Sequence, residues 1–268
     1  LAGEARWDYL HHIDSDVPNL MPTYHPEPKF SSDNWYACVS GEDPLPEFFI
    51  SRLSVKNATD AEIAVRKFMD YDRTPPAQWQ GKVLFFVDNE EDFDLRVQRQ
   101  IQTKVPEYMK TSCIRIWDFP YVDNFYAPEE KRRDKRMKCS PACNQALMEK
   151  LNQGILLWEY YGHGSLNVLT EERSFFGGGA EGSDVKRMTN AGRLPVFMAW
   201  TCDTIQYDYS GEQDPPWSTW TLSMGEELLT HDGGGAIAVY GATGRGRTEH
   251  HEMLNSGFHD ALFLYGFR

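Results

Sequence analysis

A chain of 268 residues, 41% of them hydrophobic and 13% aromatic, can bury a sizeable core, which excludes wholesale disorder. Its 27 basic against 40 acidic residues leave a net charge of −13, which argues against a nucleic-acid surface, where phosphates demand stripes of lysine and arginine. No apolar run approaches the length of a bilayer span, and no signal peptide is visible. The chain begins at Leu1, in LAGEA, and stops in FLYGFR inside a helical pattern, as expected of a processed form or of a piece of a larger, multidomain protein.

In chain order, short apolar runs rich in β-branched and aromatic residues predict strands at 48–50 (FFI), 83–87 (VLFFV), 113–117 (CIRIW), 154–161 (GILLWEYY), 194–201 (LPVFMAWT) and 235–241 (GAIAVYG). They lack polar alternation, as strands covered on both faces do. Between them lie predicted helices. One opens with a capping box of Thr59 and Glu62 and continues through Ala61, Ala64, Val65 and Phe68; the others cover 94–109, 141–152, 218–231 and 249–264. The 218–231 helix stops at Gly233, Gly234 and Gly235. Strand–helix alternation predicts an α/β fold with a mostly parallel sheet and helices on both faces. Residues 11–47 and 119–139 read as loops over that sheet. The basic cluster KRRDKR, 131–136, reads as a solvated loop. Five cysteines cannot all pair within one chain; Cys139 and Cys143 form either a local disulfide or two plain thiols. A metal domain built on them lacks two further ligands at suitable spacing.

Parallel sheets bind ligands at the carboxyl ends of their strands. Two predicted strand ends carry reactive side chains: His163, held between Gly162 and Gly164, and Cys202, after LPVFMAWT. If the two strands are neighbours, both side chains stand on one rim. A thiol needs a nearby base to become the attacking thiolate, and imidazole is the natural partner. The amides of Gly164 and Cys202 can then donate to an oxyanion. Taken singly, each residue has a plainer reading, His163 as a surface turn residue and Cys202 as a small buried hydrophobe.

YYGHGS, then LPVFMAWTCD, SMGEELL and GGGAIAVYGAT, resemble the gingipain-type cysteine peptidases of family C25, within the caspase-like clan. Upstream, SSDNWYACVSGEDPLPEFFISRLSV, NATDAEIAVRKFMDYDR and WQGKVLFFVDN are similar to the same family, so that most of residues 1–262 follow it in unbroken order. The resemblance implies a caspase-like three-layer α/β sandwich over 1–268, truncated at both ends, with 1–150 as a first half and 151–268 as a catalytic half. It implies a cysteine endopeptidase with Cys202 as nucleophile, His163 as general base and acid, a polypeptide substrate, and a bacterial extracellular or cell-surface location. SRLS, Ser51–Ser54, replaces the family's GRLP turn, and the family's first core strand is nearly absent. DTIQYD, after the nucleophile, looks closer to the sortase-like members of a bacterial secretion system, which keeps transpeptidation open beside hydrolysis. A silent scaffold domain of the same fold is the third reading.

The resemblance also places an acid after VLFFV that orients the histidine, a role for Asp88 or Glu90, and a second acid at the start of the next helix, Asp94, that contacts a basic substrate side chain. Acids at a helix start also favour its dipole without any further role. Asp118 is the other strand-end acid. Thr201 and Asp203, flanking Cys202, are expected to bind substrate. Arg245 and Arg247, in GATGRGRTEHH, are expected to wall the pocket, where they would favour an acidic substrate and so oppose the reading of Asp94; alternatively they face solvent. His250, His251 and the histidine of GFHD, His259, read as helix-surface residues. Thioester chemistry requires no cofactor. A structural calcium, frequent in gingipains, would suit the acidic loops, though no DxDxDG-type loop is legible.

Overall fold

The computed structural model describes residues 1–5, 19–27, 30–123, 138–179, 182–209 and 222–265. The elements in chain order are β1 (Tyr24–Glu27), β2 (Phe30–Ser32), α1 (Ala58–Arg73), β3 (Lys82–Val87), α2 (Phe93–Thr103), β4 (Lys110–Arg115), β5 (Val122–Asp123), β6 (Lys138–Cys139), α3 (Pro141–Gln153), β7 (Leu157–Tyr161), β8 (Gly164–Ser165), β9 (Val168–Leu169), β10 (Phe175–Phe176), β11 (Val196–Trp200), α4 (Met224–Thr230), β12 (Ala238–Gly241) and α5 (Thr248–His259). Helix α5 runs on into a π-helical turn, Asp260–Tyr265. The basic cluster at 131–136 and the expected helical residues 218–221 lie outside the described residues.

Five parallel strands form one sheet in the order β12–β11–β7–β3–β4. Strands β3 and β4 come from before residue 150 and the other three from after it, so a boundary at 150 would cut through the sheet. Alternation along the strands sorts their side chains between two layers. Leu84, Phe86, Trp158, Tyr160, Phe197 and Ala199 pack against α3 and α4 through Leu147, Leu151, Met224 and Leu228. Val83, Phe85, Val87, Tyr161, Met198 and Trp200 pack against α2 and α5 through Phe93, Val97 and Phe258. The result is a three-layer α/β sandwich.

One charged residue lies in the second layer. Glu159, in the middle of β7, is fully buried; its carboxylate accepts from Trp200 Nε1 (3.1 Å) and from Asn255 Nδ2, and lies 2.7 Å from His259 Nε2. Gln100 Nε2 on α2 donates to Asn255 Oδ1, so that one polar chain ties two strands and two helices together. A buried carboxylate without such partners would cost several kcal/mol, on the order of the penalty for any unpaired buried ion.

Several expectations are corrected. FFI at 48–50 forms no strand; Phe49 is 94% exposed, and the neighbouring ladder contact is a lone bridge between Ala2 and Leu53. CIRIW splits, the strand ending at Arg115 and Ile116–Asp118 turning into a 3-10 helix. Helix α1 is capped by Asn57, whose Oδ1 accepts from the Asp60 N–H (3.0 Å), rather than by Thr59 with Glu62. Val65 and Phe68 face out, while Ala64 and Lys67 face in. His259 is fully buried rather than on the surface of its helix. Of the two readings left open for Cys139 and Cys143, the structure has plain thiols.

Candidate active site

The registers Val87↔Tyr161 and Trp200↔Tyr161 align the carboxyl ends of β3, β7 and β11. His163 and Cys202 each stand two residues past that line on adjacent strands. Equal offsets bring both to one cleft of about 280 Å³, lined also by Thr201, Glu91, Arg247 and His251. No hydrogen bond joins the ring to the thiol; Cys202 Sγ donates to the Gly246 carbonyl at 3.9 Å. The edge of the His163 ring meets Phe93, with centroids 5.5 Å apart.

The glycines beside His163 are explained by close approach, and neither adopts a positive φ. A Cβ on Gly162 would lie 2.3 Å from both Asp88 Cβ and the Tyr160 hydroxyl, and one on Gly164 would lie 2.6 Å from Thr201 Oγ1. No side chain fits at either position. Within this tight bend the backbone of His163 is held on both sides: its N–H donates to Asp88 Oδ2 (2.9 Å), and its carbonyl accepts from the Tyr160 hydroxyl (2.5 Å) and the Thr170 N–H (3.0 Å). The C=O and the following N–H of a trans peptide point in opposite directions. The Gly164 N–H is therefore aimed away from Tyr160 and Thr170. Across the rim, Cys202 N–H has no protein acceptor among the described residues.

The two acids expected beside the histidine divide their positions. Glu90 Oε2 lies 3.2 Å from His163 Nε2, with Glu91 Oε1 at 3.6 Å. Asp88 does not touch the ring; it holds the His163 and Asn89 N–H groups, and burial pushes its carboxyl up to about 6. Asp94 is not on the cleft lining: Arg115 Nε and Gln98 Nε2 both donate to it at 2.6 Å. Asp118 is exposed and also off the cleft.

Thr201 lines the cleft at 2% exposure, and its hydroxyl has no hydrogen-bond partner. Asp203 does not line the cleft. It turns the chain at φ +57, with its N–H bonded to the Gly244 carbonyl, and burial raises its carboxyl against the pull of Arg245. Arg245 is exposed; Arg247 is exposed and lines the cleft at the start of α5.

His251 is a correction. Instead of facing solvent from α5 it is 9% exposed, lines the cleft, and reaches the Trp200 carbonyl, while burial lowers its pKa. A Cβ on Gly246 would lie 2.1 Å from its Nε2, so the ring backs the loop whose carbonyl receives the Cys202 thiol. The sequence signal was its place in the first turn after a Gly-rich segment, a short step from the rim. Glu159 carried a clearer signal, a lone carboxylate inside an apolar strand, which requires a buried partner. Among the described residues no three His, Cys, Asp or Glu side chains group as cation ligands.

The chain is 26% identical over 185 residues to gingipain R2 and to gingipain R1 of Porphyromonas gingivalis, matches that take in 65% of this chain. They cover only 21% and 16% of those relatives, so the chain spans about a fifth of their length or less. Among solved structures it resembles the Arg specific cysteine proteinase gingipain R (RGPB), with a TM-score of 0.68 at 20% identity over 98% of this chain and 52% of that one. The complex of P. gingivalis RgpB pro- and mature domains gives a TM-score of 0.66 at 19% identity, over 97% and 52%. These likenesses show the caspase-like fold. The model of peptidase family C25 matches residues 1–268 from end to end, and the chain belongs to that family.

Proposed function

We propose that this chain is the catalytic domain of a cysteine endopeptidase, working through a thioester at Cys202 with His163 as general base and acid. The observation that carries the reading is the equal offset of the two residues from in-register neighbouring strands, facing one cleft. Glu90 beside Nε2 favours the tautomer with its proton there, which leaves the Nδ1 lone pair for the thiol. Nδ1 takes the Sγ proton, the thiolate attacks the scissile carbonyl, and the oxyanion accepts from the Gly164 and Cys202 amides. The imidazolium then protonates the departing amine. Water, deprotonated by the same imidazole, releases the acid and restores the thiol. Strands from both halves of the chain in one sheet support a single domain.

A preference for a basic residue before the scissile bond would rest on Glu91 and Glu249, which line the cleft, in place of Asp94. The solved relative titled Arg specific is consistent with it. The DTIQYD segment favours one further reading, an amine in place of water as acceptor, through the same acyl-enzyme. The relatives support a bacterial extracellular or cell-surface setting.

Incubation with a peptide library and an amine acceptor tests the reaction, its preference and its acceptor. Wild-type protein should cleave and Cys202→Ala and His163→Ala should not, with products distinguishing hydrolysis from transfer. Turnover that survives Cys202→Ala would overturn the proposal.

A further inference from the structure

Two costly features converge on one carbonyl. The Tyr160 hydroxyl sits in a fully buried position, although its ring, packed on Phe86 with centroids 5.2 Å apart, could serve there as phenylalanine. A buried hydroxyl is unfavourable unless it is bonded. Thr170, β-branched, holds φ +64, a conformation such residues rarely adopt and one that the surroundings must enforce. In this conformation its N–H lies 3.0 Å from both the Tyr160 hydroxyl and the His163 carbonyl, while Tyr160 donates to that same carbonyl at 2.5 Å.

We infer that the Tyr160 hydroxyl, with the Thr170 N–H, is a positioning group that sets two parts of the proposed machinery at once, through the single peptide plane between His163 and Gly164. Pulling the His163 carbonyl toward Tyr160 turns the Gly164 N–H the opposite way. Asp88 holds the preceding plane by the His163 N–H. With both planes fixed, φ and ψ of His163 are fixed, and with them the Cα–Cβ bond from which the imidazole departs, while Glu90 and Phe93 contact the ring itself. Base and oxyanion donor thus share one anchor on the far side of the backbone from substrate. The inference rests on the peptidase reading of His163 and Gly164.

The test is Tyr160→Phe, compared with wild type and with Tyr121→Phe, which removes a nearby hydroxyl bonded to Asn89 and not to the His163 peptide. Each protein is assayed for kcat, KM, thermal midpoint and the affinity of a peptidyl aldehyde, whose adduct with Cys202 mimics the tetrahedral intermediate. Misaimed donors weaken the transition state rather than the ground state, so Tyr160→Phe should lower kcat on the order of tenfold or more and weaken the aldehyde in parallel, with KM little changed. Tyr121→Phe should match wild type. Unchanged kcat and aldehyde affinity in folded Tyr160→Phe would refute the inference. Should that variant not fold, Thr170→Gly keeps the N–H but frees its backbone, and must weaken the aldehyde; equal affinity refutes the inference likewise. Failure of wild type itself to form the adduct would sink the peptidase reading, whereas equal adducts in wild type and variant sink only this inference.

Discussion

At the scale of single residues, the five thiols differ in surroundings more than in sequence. Burial pushes Cys113 up to about 11 and Cys143 up to about 12, and raises Cys139 as well. Thiolate fraction governs alkylation. At pH 8, Cys202 in its open cleft should therefore react with iodoacetamide well before those three; peptide mass spectrometry that finds Cys113 or Cys143 labelled as fast would contradict the assignment. Asp94 gives the opposite kind of prediction. Because it is spent on Arg115 and Gln98, with the ion pair partly exposed, Asp94→Asn should leave kcat/KM for basic peptides nearly unchanged and cost no more than about 1 kcal/mol of stability. A tenfold loss for arginine substrates alone would return it to the pocket. The Arg115 partner lies 21 positions downstream at the end of β4, and nothing in the sequence around Asp94 announces it.

At the scale of elements, α4 ends in a cation. Lys67, reaching from α1, donates to the carbonyls of Leu228 (2.9 Å) and Leu229 (3.0 Å), in the last turn of the helix, and of Gly234 (2.8 Å) in the turn beyond it; the Leu228 carbonyl also accepts from the Ala236 N–H (3.0 Å). Lys67→Met keeps the apolar stem but takes the side-chain donor from the Leu229 and Gly234 carbonyls, while Leu228 keeps the Ala236 N–H, and should lower stability by about 1–3 kcal/mol in urea unfolding. A loss within error would show that water satisfies the carbonyls instead. Runs that become doubly covered strands, such as VLFFV, were legible because burial on both faces permits no polar residue except a paired one. That ligands sit at the carboxyl ends of parallel strands made His163 and Cys202 candidates, while the pairing of β7 with β11 that joins them on one rim is supplied by the structure. What sequence could not tell was which face of a helix meets the sheet. His251 and His259 sit eight residues apart on one side of α5, a helical spacing, but only packing decides that this side is inward. FFI failed as a strand for the converse reason: an apolar run without a neighbouring ladder has no partner for its backbone.

For the whole molecule, a net charge of −13 conceals buried carboxyls that hold protons unusually tightly. Desolvation raises Glu4 to about 7, against the pull of Lys56, and Asp88 to about 6. Their folded values exceed the unfolded ones, so the folded chain binds more protons between about pH 4 and 7. Each group's contribution to stability is therefore greatest at the acid end of that window and declines as pH rises through it. Asp88→Asn removes one such term. The stability of the variant relative to wild type should rise from pH 4 to pH 6, by no more than about 1.4 kcal/mol per pH unit, and level off above. A pH-independent difference would mean that Asp88 is ionised throughout.

The Glu159 cluster bears on the order in which the chain can mature as it is synthesised. Its carboxylate is laid down with β7, but two of its partners, Asn255 and His259, arrive about a hundred residues later on α5. Until that helix emerges, the central strand carries a carboxylate with Trp200 as its one partner among the described residues, and burying it in that state is unfavourable. A nascent chain from which residue 255 has not yet emerged should thus stay open to proteolysis even with all five strands outside the ribosome, and extension that carries His259 out of the exit tunnel should protect it in one step. Helix α5 would act as the latch of translation, so that the rim carrying His163 and Cys202 is assembled only after this helix, about fifty residues beyond Cys202, has left the ribosome.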